Sequence, residues 1–361
     1  MYSSLTNKNY KQFYWYTEET ENPNRNDAIF SDIENPIFNI MFGNKYYITT
    51  DKAPVGYTKI KEQNNIKLYT NNDVFTLGYA TNNIMNEKDY NKLKYPYNNL
   101  ALLNNIITKT SNTKTTYKNT LIKTSPKIYN PANAKVTNNK YEFKLDKDTS
   151  YKINKAEHNE NIKIIKFNMD YTENCKIGDT MITINNVSNK LTCKGWKYHN
   201  KNYVFTYVLS PSENLNINIS KGQYIISNIE TYEINYNDLK NIKQTHDEFK
   251  INKKETKGDI IKGTINVTKD NSYFNLAVPY DEGYNIYVDG NKISYEQTNT
   301  AFIGFKIDKG FHNIEIKYTS PWLNIGEIVS IIGIITLIPV FILEIKGVVK
   351  NEKNINGSTL L

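Results

Sequence analysis

The stretch IGEIVSIIGIITLIPVFILEIKGVVK, residues 325–350, decides how everything before it is read. From Ile328 to Leu343 only Ser330 and Thr336 carry a polar side chain, and Ile325 and Ile345 extend the apolar run. A helix needs about 20 apolar residues to cross a bilayer, and about 17 suffice when the flanks reach the interface. Pro339 is costly in an exposed soluble helix but tolerated in a membrane helix. The spacing therefore predicts one transmembrane helix over 323–346. Trp322 stands at its entrance, and Lys346 and Lys350 at its exit, as interface anchors.

The flanking lysines set an orientation. Lys346, Lys350 and Lys353 follow the run, whereas the ten residues before it offer little beyond Lys317. The positive-inside rule then puts the tail, 347–361, in the cytoplasm and the bulk of the chain outside. The N-terminal stretch MYSSLTNKNYKQFYWYTEET has no basic n-region, apolar h-region or small-residue cleavage site, so it does not read as a signal peptide. A large domain is not easily exported ahead of one late helix without such a signal. Two readings follow. Either the protein is tail-anchored with its bulk in the cytoplasm, against the lysine bias, or this chain is the C-terminal piece of a longer polytopic protein. The second is the expectation carried forward, and it makes N-terminal membrane helices of the same protein a partner.

The rest of the chain reads as β-rich and globular. It has 361 residues, a mean hydropathy of −0.62, 29 Tyr against 14 Phe, and many Ile, Val and Thr. The net charge is +8, but Arg25 is the only arginine, and base readers and phosphate clamps favour the planar guanidinium. Nucleic acid is therefore not an expected partner. The lysines read as solvated residues over alternating strands, with anionic lipid as the second reading.

Local patterns divide the chain. Residues 1–110 mix helix and strand signals: NPIFNIMFG (35–43) reads as a helix or apolar turn, GYTKIKEQNNIKLYTN (56–71) as a hairpin turning at Asn64-Asn65, and 85–108 as helical stretches interrupted at Pro96. TKTSNTKTTYKN (108–119) is a polar linker. Over 120–236, YEFKL, IKIIKFNM, MITIN, YVFTYVL and LNINI are short runs at the spacing of a β-sandwich. Residues 237–257 place Leu239, Ile242 and Phe249 near helical spacing, suggesting an amphipathic connector. A small β domain follows over 258–319, where Asp289-Gly290 in YNIYVDGNKISY demands a tight primed turn. The fold class is thus mainly β with an α+β N-terminal region: β-sandwich-like extracytoplasmic domains followed by one C-terminal transmembrane helix.

No phosphate-binding loop, dinucleotide fingerprint or hydrolase motif occurs, and His158, His199, His246 and His312 lack metal-ligand spacing. No catalytic residue, cofactor or metal is assigned. Asp281, Glu282 and Asp289 lie near hairpin turns, where acids are structurally expected. Cys175 and Cys193 flank two β-like runs and fit either a disulfide or two separate buried thiols. The aromatic stretches GWKYHNKNY and VPYDEGYNIY offer Trp196, Tyr198, Tyr203 and Tyr284 as faces on which a sugar could stack; a core or cross-strand ladder is the competing reading.

Several stretches together resemble the YfhO-like family of bacterial polytopic membrane proteins: SSLTNKNYKQFY, FGNKYYITTD with GYTKI and IKLYTN, NEKDYNKLKYPYNNLALL, VPYDEGYNIYVDGNK, and TAFIGFKIDKGFHNIEIKYTSPWLNIGEIVSIIG. Their order and spacing are similar to the C-terminal part of that family across nearly the whole chain. Asn44 departs from it, standing where the family usually has an aliphatic residue. The resemblance implies a membrane glycosyltransferase architecture with many N-terminal helices, an extracytoplasmic β-rich region and a last helix. It further implies decoration of cell-wall polymers such as lipoteichoic acid from polyprenyl-phosphate sugars. The catalytic acid of such enzymes would lie in an early loop, so none is carried onto this sequence. The portion in hand would then recognise an acceptor polymer or brace the catalytic helices. A self-sufficient, membrane-anchored carbohydrate-binding protein is the second expectation.

Overall fold

Strict alternation in KYEFKL, residues 140–145, sends Tyr141, Phe143 and Leu145 inward and the polar residues between them outward. The same period organises most of the chain. The structure is a computed structural model that describes residues 8–10, 13, 34–110, 119–125, 134–137, 140–154, 160–171, 179–197, 199–212 and 214–357.

Two sheets form a first sandwich. A four-stranded sheet runs in the order Thr149–Asn154, Asn214–Ile219, Thr180–Ile184 and Val187–Leu191. Facing it is a six-stranded sheet containing Val204–Leu209, Asn161–Tyr171, Gly222–Asn235, Lys140–Leu145 and Ala134–Thr137, with Ile122–Thr124 also on Gly222–Asn235. Ile182, Ile184, Leu191 and Ile219 from one sheet meet Phe167, Phe205, Tyr207 and Tyr224 from the other. The Tyr207 hydroxyl crosses this core to donate to the Ile182 carbonyl at 2.9 Å, satisfying a group that burial would otherwise penalise. Burial of that ring also holds the phenol well above its usual range.

A second sandwich carries the chain to the membrane segment. Its seven-stranded sheet has the order Asp247–Glu248, Gly78–Thr81, Ser272–Pro279, Phe302–Ile307, Glu296–Thr298, Ile106–Thr108 and Ile84–Asn86. Residues from 78–108 and from 247–307 thus share one sheet. Among its described strands only Ile84–Asn86 and Ile106–Thr108 pair in parallel, the crossover holding the short helices Glu87–Tyr90 and Tyr97–Asn104. The opposing five-stranded sheet orders Lys250–Ile251, Ile260–Val267, Gly310–Tyr318, Tyr284–Val288 and Asn291–Ile293. Phe274, Leu276, Ile303 and Phe305 pack there against Ile265, Ile286, Ile314 and Ile316.

The sandwiches meet through a shared core. The long strands Asn161–Tyr171 and Gly222–Asn235 give one end to the first sandwich, while Ile162, Ile164, Tyr232 and Ile234 at the other end join Ile40, Phe75, Tyr79, Leu100 and Tyr273. Asn35 caps the helix Pro36–Met41 by accepting from the Ile37 and Phe38 amides at 3.0 and 3.1 Å. The connector after Asn235 is helical only over Tyr236–Lys243, which buries Leu239 and Ile242. Phe249 is not on that helix; it lies between two short strands with its ring 5.4 Å from Phe274.

The turns read from sequence are present. Asp289 and Gly290 have φ of 51° and 81°, and Asn64 and Asn65 have 50° and 64°. Positive φ at both central residues is the primed geometry that matches strand twist. The latter turn closes a three-stranded sheet of Tyr46–Thr49, Ile66–Thr70 and Thr58–Gln63.

The terminal helix runs Leu323–Gly357 and contains Pro339. Its segment Leu323–Gly347 contains an 18-residue stretch with a mean hydropathy of 2.7, and none of that stretch is covered by the rest of the chain. At 1.5 Å per residue these 25 residues are long enough to cross an apolar layer of about 30 Å.

Candidate functional site

The segment following Val187–Leu191 is a loop held almost entirely by its own polar groups. Asn200 Oδ1 accepts from the amides of Thr192 and Asn202 at 3.0 and 3.2 Å, and its Nδ2 donates to the Lys190 carbonyl at 2.7 Å. Thr192 Oγ1 in turn accepts from the Asn200 amide at 2.7 Å. His199 Nδ1 lies 2.8 Å from the Thr192 carbonyl, which assigns the proton to that nitrogen and leaves Nε2 to accept from the Tyr203 hydroxyl at 3.1 Å. The Cys193 amide donates to Asp179 at 2.9 Å, and Cys193 is disulfide-bonded.

On this loop Trp196 is 49% exposed. Its own amide donates to the Cys193 carbonyl at 3.0 Å, and its carbonyl accepts from His199 at 3.1 Å, so the backbone beneath the indole is fixed from both sides. Tyr203 is half-buried against the first sandwich core, with its hydroxyl engaged by His199. Trp196 and Tyr203 therefore belong to one loop, the first half-exposed and the second half-buried against the first sandwich core. Tyr198 and Cys175 lie outside the described residues.

Tyr284 sits elsewhere, on the second sandwich. It pairs across the sheet with Tyr318, the ring centroids 4.8 Å apart and the planes at 52°, and both flank the entry to the terminal helix. Burial raises the Tyr284 phenol above its usual range. The four aromatics singled out from sequence are thus not one site.

The three residues expected as interface anchors lie in order along the last segment. Trp322 is 77% exposed and has φ of 68°, turning the chain from strand to helix. Lys346 is exposed near the end of the apolar segment, and Lys350 falls four residues later in the same helix.

The acids near hairpins act as turn formers. Asp281 accepts from the Gly283 amide at 2.8 Å. Asp289 accepts from the Asn313 amide at 2.8 Å and pairs with His312 at 2.8 Å; the amide first and the imidazole second hold its carboxyl below the usual range. One polar cluster is not legible in the sequence. Glu296 accepts from Thr110 at 2.6 Å, Thr108 at 2.8 Å and Tyr273 at 3.0 Å. Three hydroxyls donating to one carboxylate tie the sheet strands together here. No group of three His, Cys, Asp or Glu side chains suited to a metal occurs among the described residues.

Taken together, a β-rich body of stacked sheets and, among the described residues, one helix long and apolar enough to cross a membrane define a membrane-associated protein. The chain belongs to the family described as "Bacterial membrane protein YfhO", whose sequence profile matches residues 1–330. It is 26% identical over 352 residues to the "Uncharacterized protein YfhO" of Bacillus subtilis (strain 168), covering 92% of this chain and 39% of that one. The chain thus spans well under half the length of this relative. Among solved structures, the ANXUR1 extracellular domain of Arabidopsis thaliana matches 49% of this chain and 77% of its own, at 9% identity and a TM-score of 0.21. A Paenibacillus cycloisomaltooligosaccharide glucanotransferase complexed with cycloisomaltoheptaose matches 51% of this chain and 44% of its own, at 8% identity and a TM-score of 0.20. Both scores lie far below that of a shared fold.

Proposed function

We propose that this chain is the extracytoplasmic β-rich portion and last span of a membrane glycosyltransferase of the YfhO type. N-terminal helices of the same protein carry the transfer from a polyprenyl-phosphate sugar to a cell-wall polymer such as lipoteichoic acid. In this reading the present portion recognises the acceptor, with Trp196 as the stacking face, the bonded loop of Thr192, His199, Asn200 and Tyr203 as its rigid support, and a Cys175–Cys193 disulfide closing the loop. The observation that carries it is the exposed indole on a preorganised loop, in a chain whose family match runs over residues 1–330. Aromatic residues supply large contact area with few rotatable bonds, which suits weak, repeated contact with a polymer.

The test is Trp196→Ala in the full-length protein, produced in cells lacking the native copy. Sugar carried by the cell-wall polymer should fall about tenfold while the membrane level of the protein is unchanged, since losing one anchoring aromatic contact costs on the order of 1–2 kcal/mol. An unchanged sugar load at equal protein level would remove Trp196 from the acceptor site.

A further inference from the structure

The membrane-facing end of the second sandwich holds residues that the acceptor reading does not use. Only residues 319–322 separate the strand Gly310–Tyr318 from the helix starting at Leu323. Even fully extended, that tether places Tyr318 within about 17 Å of the helix start. It is also pinned: the Thr319 amide donates to Gly283 at 2.9 Å and the Leu323 amide to Ser320 at 3.2 Å.

Strand register shows what else lies at this end. Lys317 pairs with Ile260, and Tyr318 pairs with Tyr284 and donates its amide to the Asp259 carbonyl at 2.9 Å. The turn 252–259, sequence NKKETKGD, therefore projects past the sheet on the same side as the helix. It is ordered by its own bonds: the Asn252 amide to Lys262 at 2.8 Å, the Thr256 amide to the Asn252 carbonyl at 2.9 Å, and the Lys254 amide to Asn252 Oδ1 at 3.1 Å. Lys253, Lys254 and Lys257 are exposed and make no ion pair among the described residues. The neighbouring acids differ. Glu255 engages Asn252 at 2.8 Å and Lys262 at 3.5 Å, Glu315 engages Lys262 and Lys317 at 3.2 and 2.6 Å, and Asp281 caps Gly283; Asp259 and Glu282 stay exposed.

We infer that this end of the sandwich is a lipid-binding surface: Lys253, Lys254 and Lys257 contact anionic phospholipid headgroups, while Tyr284, Tyr318 and Trp322 sit at interfacial depth in the leaflet where the terminal helix enters. It rests on the reading that Leu323–Gly347 spans a bilayer. The occupant follows from continuity with that helix, because a surface tethered this closely faces the headgroup layer at millimolar or higher effective concentration. Tyrosine and tryptophan prefer that layer, each having an apolar ring and a polar tip. A lysine near an anionic membrane surface is worth about a fivefold change in association, and these three lie together on one turn, whereas the exposed acids Asp259, Glu282 and Glu327 are spread over that turn, the neighbouring hairpin and the helix. The consequence is a body held upright on the membrane rather than swinging on a flexible stalk.

The experiment is amide hydrogen exchange on the full chain in nanodiscs, of phosphatidylcholine alone and of an equal mixture with phosphatidylglycerol. Exchange over 252–259 and 280–284 should be about fivefold or more slower in the anionic discs. The difference should vanish on combining Lys253→Glu, Lys254→Glu and Lys257→Glu, and for the unaltered chain on raising salt, while Ile260–Val267 keeps its protection. Equal exchange in both discs, with amides of 323–347 protected, overturns the docking surface while leaving the span intact. Unprotected amides over 323–347 overturn the span and the surface with it.

Discussion

Asn299 ties together strands that lie almost two hundred residues apart, and its loss gives a quantitative test of the second sandwich. The side chain is buried, accepts from the Ile107 amide at 2.8 Å and donates to the Tyr79 hydroxyl at 3.0 Å. Asn299→Ala leaves both partners buried and unpaired, at about 1–3 kcal/mol each. The backbone is also left-handed there, φ 47°, where alanine is disfavoured by about 1 kcal/mol relative to asparagine. The expected loss is about 3–7 kcal/mol, a large fraction of the stability of an ordinary domain. Urea unfolding of the full chain in mild detergent measures it. Tyr79→Phe alone should cost about 1 kcal/mol, and the double variant should lose less than the sum of the singles by about 0.5–1.5 kcal/mol. Hydrogen exchange should rise together over 78–81, 106–108 and 296–307. A loss below about 1 kcal/mol, or additive singles, would refute the argument that this side chain couples the strands.

Two further outcomes follow from the same cores. His246 is buried between Phe75 and Tyr79 with Nδ1 3.0 Å from the Ile242 carbonyl, and burial pushes its pKa down to about 4. The unfolded chain takes up this proton below about pH 6.5 and the folded chain only below about 4, so stability falls as pH drops through that window, by about 3 kcal/mol. His246→Phe should remove that share of the pH dependence, and an unchanged slope in a pH series of urea melts would sink the assignment. At Gly263 a Cβ would overlap the Lys250 carbonyl oxygen and the Phe249 ring. Gly263→Ala should cost about 1–3 kcal/mol by overpacking, and a midpoint unchanged within error in the same melts would contradict that close approach.

Features carried by neighbours in sequence were legible. Asp289-Gly290 and Asn64-Asn65 state their turns in two residues, KYEFKL states its buried face by alternation, and the apolar run after Trp322 states its helix by length. Other features depend on partners far away. Phe249 fits a helical spacing with Leu239 and Ile242, yet its ring packs on Phe274, because two short strands start after the helix ends at Lys243. The parallel pairing of Ile84–Asn86 with Ile106–Thr108 has no local signature, and Glu296 finds its hydroxyl partners 186 and 188 residues away. Aromatic content flagged Trp196, Tyr203 and Tyr284 alike, although only the topology separates a loop on the first sandwich from the base of the second.

The lysine count around the last helix shows the same limit. Read locally, the entry side offers Lys317 alone; strand pairing brings the turn with Lys253, Lys254 and Lys257 to that side. These residues belong to a folded body, and charges within large domains have little effect on insertion. The orientation therefore still rests on Lys346, Lys350 and Lys353, and it is the claim on which acceptor recognition depends.

It is tested most directly by labelling intact cells that produce the full-length protein, using a membrane-impermeant maleimide and one introduced cysteine at a time. Ser294 is exposed on the second sandwich, and Asn354 lies in the helix beyond the apolar segment. The account predicts that Ser294→Cys is labelled on intact cells and that Asn354→Cys is labelled only after permeabilisation. Labelling of Asn354→Cys on intact cells, with Ser294→Cys protected, would contradict it.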